Sequence, residues 1–173
     1  DPFHTSDICG DGIDTDGDGK GITCDCVGCG MLACSLMLSA VHEAIDTGEM
    51  DENSVEGTSI DCNETRECGS SESSPTGGSH HIHLSNELFQ PGGCWAGEDV
   101  WGMDGKIKFM LFHEFGHILQ PPYSQADEVW ALSEAIANNF GCEVLGCNDA
   151  VVDELEDLAE DGTTWWDPAA GQP

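Results

Sequence analysis

The hydrophobic pattern predicts four helices and a strand before any chemistry is considered. From Met31 to Asp46, the apolar residues Leu32, Leu36, Val41 and Ile45 recur at near-helical spacing, and Gly48 supplies a stop. Phe109 to Leu119 is an apolar run interrupted by only a few polar residues, as expected of a helix buried on most sides. Pro121-Pro122 must end that helix, because proline lacks the amide donor and clashes with the preceding turn. A further helical pattern runs from about Gln125 to Leu145, with Val129, Leu132, Ile136, Phe140 and Val144 as its apolar set. His80 to Phe89 alternates and reads as a strand ahead of the Pro91-Gly-Gly93 turn, with Ile82 and Leu84 on one face and His81 and His83 on the other. Asp149 to Asp161 suggests a short acidic helix, and Trp165-Trp166 an edge of the core. Asp46 to Asn53 reads as an acidic loop and Gly69 to Ser79 as a flexible, low-complexity segment.

The apolar run carries the chemistry. Within it, His113-Glu114-Phe-Gly-His117 is an HExxH motif. Residues four apart share a helix face, so His113 and His117 can present imidazole nitrogens to one metal ion, with Glu114 positioned as a base for water held there. Two histidines leave a tetrahedral zinc site short of a protein ligand. Glu134 is the expected third ligand if the chain doubles back at the prolines, with Asp127 and Glu128 as alternatives. Asn138, one turn beyond Glu134, is placed to hydrogen-bond a ligand imidazole. Tyr123, the sole tyrosine, is a candidate hydrogen-bond donor to an oxyanion.

HEFGH followed by SEAIANNFG resembles the gluzincin clan of metallopeptidases, in which HExxH precedes a helix bearing an NEAxxD-like or ExxAN-like segment. The resemblance spans about Gly105 to Leu145. It implies His113, His117 and Glu134 as zinc ligands, Glu114 as catalytic base and Asn138 as the partner of a ligand imidazole. Thermolysin-like members carry an aspartate at the position of Asn138. The short spacing from His117 to Glu134 points to a minimal peptidase core. The rival metzincin pattern HExxHxxGxxH fails, since Gln120 and Tyr123 occupy its last two positions.

Composition sets the surroundings. The chain has 173 residues, ten cysteines and a formal charge of −30 from 34 acidic and four basic residues. So negative a chain repels a phosphate backbone, which excludes nucleic-acid binding. It also favours bound cations as structural parts. An even, dense set of cysteines reads as a disulfide framework of a secreted protein, although Cys24, Cys26, Cys29 and Cys34 also permit a zinc or iron–sulfur site. A start at Asp1 rather than methionine fits a processed secreted chain. The longest apolar run, Met31 to Val41, is too short to span a membrane.

Near the amino terminus, Asp14-Thr-Asp16-Gly-Asp18-Gly19-Lys20 follows the DxDxDG calcium-loop pattern. Asp14, Asp16 and Asp18 supply carboxylates, Lys20 a backbone carbonyl, and Asp25 stands at position twelve in place of the usual glutamate. The cysteine-flanked segment resembles calcium-binding stretches of secreted bacterial proteins.

These readings define the expected molecule. Residues 1–30 would form a calcium-loop, cysteine-rich segment packed on a zincin-like domain over residues 31–173. The class is α+β and disulfide-rich, with a small antiparallel sheet packed on the HExxH helix and the following Glu-bearing helix. The strand before the HExxH helix is expected at a sheet edge, where it can bind an extended peptide by strand addition. The expected function is a secreted zinc peptidase acting on peptide or protein substrates, with zinc and calcium as cofactors. The alternative is an extracellular structural or filament-forming calcium-binding protein, homo-oligomeric or part of an assembly, on the same scaffold.

Overall fold

The computed structural model describes residues 9, 12–14, 17–63, 68–73, 79–91, 93, 98–120, 127–160 and 166–167, with the side chains of 63, 98–101 and 127–130 outside that description. The class is α+β. Two compact units divide the chain, Asp1–Trp95 and Ala96–Pro173, and the expected boundary at residue 30 falls inside the first.

The first unit contains β1 (Thr23–Cys24), α1 (Cys26–Cys29), α2 (Met31–Asp46), α3 (Glu52–Val55), β2 (Thr58–Asn63), β3 (Gly69–Ser73), β4 (His80–Ser85) and a 3-10 turn, Asn86–Phe89. Its sheet has the order β1-β2-β4-β3. The expectation of an antiparallel sheet is corrected: β1–β2 and β2–β4 are parallel, and only β3–β4 is antiparallel. The helical crossover from β1 to β2 lets the chain return in the same direction. The histidine strand is also not an edge, since β4 lies between β2 and β3. It ends at Ser85, whose hydroxyl accepts from the Glu87 amide at 3.2 Å and starts the 3-10 turn.

The alternation along β4 holds. Ile82 and Leu84 are buried with Ile60 and Cys62 of β2, while His81, His83, Ser59 and Asp61 are only partly buried. On α2 the buried face is offset from the expected one: Cys34, Met37, Leu38, Val41 and Ala44 are buried, and Leu32 is 87% exposed. The Cys24–Cys34 disulfide ties α2 to β1 and so selects the face turned inward. Gly69–Ser73, expected to be flexible, forms the edge strand β3. Its ladder is made by backbone groups and needs no apolar side chains, and Cys68 at its start is disulfide-bonded. The acidic segment before β2 contributes α3, whose N-cap Asp51 accepts from the Asn53 amide.

Further disulfides, Cys9–Cys26 and Cys29–Cys62, fasten the amino-terminal segment and α1 to the unit. Cys24, Cys29 and Cys34 cluster closely, but all three sulfurs are consumed in disulfides, so this group holds no metal.

The second unit contains α4 (Glu98–Leu119), broken at Gly102 where φ is 73°, α5 (Asp127–Leu145) and α6 (Asp149–Glu160). Helix α4 buries Phe109, Leu111, Phe112 and Phe115. Among the described side chains of α5 the buried positions are small or polar: Ala135, Ala137, Asn138 and Gly141 are buried, Leu132 is 44% exposed and Ile136 and Phe140 are only partly buried, while the expected Val129 lies outside the described side chains. The reason is how closely the two helices approach. A Cβ added at Gly116 would lie 2.8 Å from Ala137 Cα, and one at Gly141 would lie 3.1 Å from the Phe109 ring. The Cys142–Cys147 disulfide closes the end of α5 on itself, with Gly146 at φ 71° between the two cysteines. The expected edge residue Trp166 is partly buried, and Trp165 lies outside the described residues.

The α4–α5 contact yields a prediction. Gly116→Val places branched carbon against the α5 backbone, so it should destabilise the protein by about 1–3 kcal/mol. Denaturant unfolding of the variant checks this. A variant with unchanged stability would show that the helices do not need the missing side chain.

Candidate metal centre

His113 and His117 lie one turn apart on α4 and direct Nε2 atoms to positions 3.1 Å from each other. Glu134 reaches both from α5, with Oε2 3.0 Å from His113 Nε2 and Oε1 3.1 Å from His117 Nε2. The three residues therefore converge as expected, and Gly116, between the two histidines, permits the necessary proximity; Pro121 and Pro122 lie outside the described residues. The alternatives Asp127 and Glu128 lie on α5, with side chains outside the described set, and Tyr123 falls outside the described residues.

Hydrogen bonds on the far side of each ring settle which nitrogen faces inward. Asn138 Oδ1 lies 2.7 Å from His113 Nδ1 and can only accept, so Nδ1 carries the proton. On His117, Nδ1 lies 3.1 Å from Ser133 Oγ, and that hydroxyl donates to Gln120 Oε1 at 2.8 Å. The Ser133 oxygen therefore accepts from Nδ1–H, and the Nε2 lone pair again faces the centre. Gln120 is itself held by donating from Nε2 to the Ser133 carbonyl at 3.0 Å. The sequence reading had missed Ser133 and Gln120. Their signal was positional: Ser133 adjoins the ligand Glu134, and Gln120 follows His117 by three residues.

The donor set fits a tetrahedral ion. Zinc bonds of 2.0–2.1 Å place neighbouring ligand atoms roughly 3.3 Å apart. The separations of 3.0–3.1 Å between Glu134 and the two rings, and of 3.1 Å between the rings, are close to that value. Two imidazoles and a carboxylate suit a borderline ion such as zinc.

Glu114 is 3% exposed, and its charge acts on His113. Burial favours neutral His113, but the hydrogen bond to Glu134, the charges of Glu114 and Glu134 and the bond to Asn138 together raise its pKa above 6.5. Burial likewise opposes ionisation of Glu134, but its hydrogen bonds and charge interactions with both histidines hold it at about 2.

The residues expected to form a calcium loop are described in part. Asp14 accepts backbone amides from Gly17 and Asp18 through Oδ1 and from Gly19 through Oδ2, at 2.8–3.2 Å. Asp18 Oδ1 accepts from the Lys20 amide, and the Lys20 carbonyl accepts from the Gly57 amide at 3.0 Å. Asp25 caps α1 by accepting from Val27. Asp16 lies outside the described residues. No helix among the described residues is long and apolar enough to cross a membrane.

Comparison with known proteins returns no matching family model, no matching curated protein and no matching solved structure.

The ionisation of the cluster predicts a pH signature for chelator-treated protein. Glu134 has a depressed folded pKa, so its stabilising contribution is complete above 4.5 and is lost as pH falls toward about 2. His113 has a raised pKa, so its contribution is complete below 6.5 and is lost as pH rises through the folded value. The cluster should therefore stabilise the metal-free protein most between those limits. Glu134→Gln should flatten both slopes in urea unfolding across pH. Because ligation needs a neutral imidazole, zinc affinity should instead rise with pH. Zinc affinity that falls as pH rises would contradict the assigned ligands.

Proposed function

We propose that the protein is a zinc-dependent hydrolase of peptide bonds. The observation carrying this reading is the convergence of His113 Nε2, His117 Nε2 and Glu134 within 3.1 Å, with buried Glu114 adjoining the first ligand. A zinc ion held there supplies Lewis acidity toward water and a substrate carbonyl. The chain's own residues do the rest. Glu114 accepts the proton of the attacking water and returns it to the departing amine. Asn138 and Ser133 keep both imidazoles in the tautomer that leaves Nε2 for the metal. Asn138 does so as a neutral acceptor, so it adds no negative charge to the centre and leaves the ion more electrophilic than an aspartate in its place would.

Glu114→Gln removes the base and leaves the three ligands in place. It should lower cleavage of casein or a mixed peptide library by roughly 100-fold or more, with zinc content per chain unchanged. Equal turnover by the two proteins would overturn the mechanism. Absence of turnover in the zinc-loaded wild type would favour the non-catalytic scaffold.

We further infer that the turn from Asp14 to Lys20 is a calcium loop and that the protein works outside the cell. Asp14 already organises the turn through three backbone amides, and Gly19 has the left-handed conformation that the sixth loop position requires. Several disulfides among the described residues fit an oxidising compartment. An extracellular loop with a dissociation constant of about 1 mM would give about 1.4 kcal/mol of stabilisation at tenfold excess calcium. Thermal unfolding with calcium, and with magnesium as control, measures this, and Asp14→Asn should abolish the calcium effect. A wild-type transition that calcium leaves in place removes the assignment.

A further inference from the structure

The open face of the sheet in the first unit carries a second convergence of metal-ligating groups. Asp61 of β2 sits opposite His83 of β4 in the strand register, and His81 lies two residues earlier on the same face. One carboxylate serves both rings: Asp61 Oδ2 lies 2.5 Å from His81 Nε2, and Oδ1 lies 2.9 Å from His83 Nδ1. The rings stack with centroids 4.2 Å apart and planes 17° from parallel. On the other flank, Glu72 of β3 pairs with His81 in the register, and its Oε2 approaches His83 Nε2 at 3.9 Å. Ser59 Oγ lies 3.2 Å from His81 Nδ1 and braces that ring.

We propose that Asp61, His81 and His83 form a second metal site, open to solvent, for a borderline divalent ion of the zinc, copper or nickel type, with Glu72 as an additional carboxylate. The alternation of β4 that buries Ile82 and Leu84 necessarily turns both histidines outward together. One imidazole nitrogen of each ring is already aimed at a single carboxylate, so the ion replaces protons in an arrangement the strands hold in advance. Two imidazoles with one or two carboxylates match the ligand preference of such ions rather than of calcium or magnesium. The ligand atoms lie within 4.8 Å of one another. The side chains of His81 and His83 are 42% and 26% exposed, so ions can enter and leave directly.

The site is independent of the hydrolase reading, and zinc counting separates the two. Calcium-saturated, full-length protein is titrated with zinc by calorimetry, with metal content checked after gel filtration. Wild type should bind two zinc ions, the sheet site the more weakly. H113A/H117A should keep one, and H81A/H83A should keep the other. His83→Gln, which preserves a hydrogen-bond donor toward Asp61 but offers no imidazole, should weaken the second binding event by tenfold or more without altering the circular dichroism spectrum. A folded H113A/H117A protein that binds no zinc, or a His83→Gln protein with unchanged second-site affinity, overturns the proposal and leaves a hydrogen-bonded cluster only. One wild-type zinc that survives H113A/H117A but is lost in H81A/H83A would uphold the sheet site while removing the helix site.

Discussion

Two imidazole nitrogens and a carboxylate cannot sit within 3.1 Å of one another, largely out of water, unless positive charge lies among them. Their lone pairs repel, and burial has removed most of the solvent that would screen them. The second unit is arranged around meeting that condition. Helical periodicity stacks the two histidines, Gly116 lets α5 approach, and Glu134 arrives between them. Asn138 and the Ser133–Gln120 pair then fix the rings from behind. In the metal-free protein the hydrogen bond to Glu134 and the charges of Glu114 and Glu134 favour a proton on His113 and raise its pKa, while both histidines lower that of Glu134. A divalent ion meets it better, since it satisfies all three donors at once.

What the sequence revealed of this arrangement was what local spacing determines. The four-residue interval of His113 and His117, the stop at Pro121-Pro122 and the interval from Glu134 to Asn138 all follow from helix geometry, and the structure brings all four side chains together. What the sequence concealed depends on partners distant along the chain. The order β1-β2-β4-β3 places the histidine strand inside the sheet, because Gly69–Ser73 pairs along its outer side despite having no apolar residue. The face that α2 buries is chosen by a disulfide to Cys24, and no pattern of hydrophobicity reports a disulfide. On α5, the large residues Leu132 and Phe140 suggested a core face, but close approach of α4 rewards alanine and glycine there instead. Chemistry written in short motifs was therefore more legible than the packing that supports it.

The charge balance explains why histidine recurs in these sites. With 34 acidic residues and four lysines or arginines, the ordinary cationic partners of carboxylates are scarce. Histidine takes their place: His42 approaches Asp46, His81 and His83 share Asp61, and His113 and His117 share Glu134. At neutral pH, histidine is a weak substitute, because it is charged only where its surroundings raise its pKa. Neutral imidazole beside a carboxylate is instead the donor set of a transition-metal site. A strongly acidic chain that pairs its carboxylates through histidine thus becomes receptive to divalent ions wherever two such rings meet.

The two meeting places differ in what surrounds them, and that difference divides their chemistry. On the helices, His113 is buried, each ring has a fixed hydrogen-bond partner behind it, and a buried glutamate adjoins the first ligand. Under the proposed reading, such a site would hold an ion tightly, exchange it slowly and have a base at hand for water. On the sheet, both rings remain partly open, Asp61 is shared between them and Glu72 is mostly solvated. An ion there would exchange readily and would act chiefly as a clamp across three strands. If both proposals hold, burial of the ligands and their hydrogen-bonded backing, more than the identity of the donor atoms, would separate the catalytic site from the exchanging one.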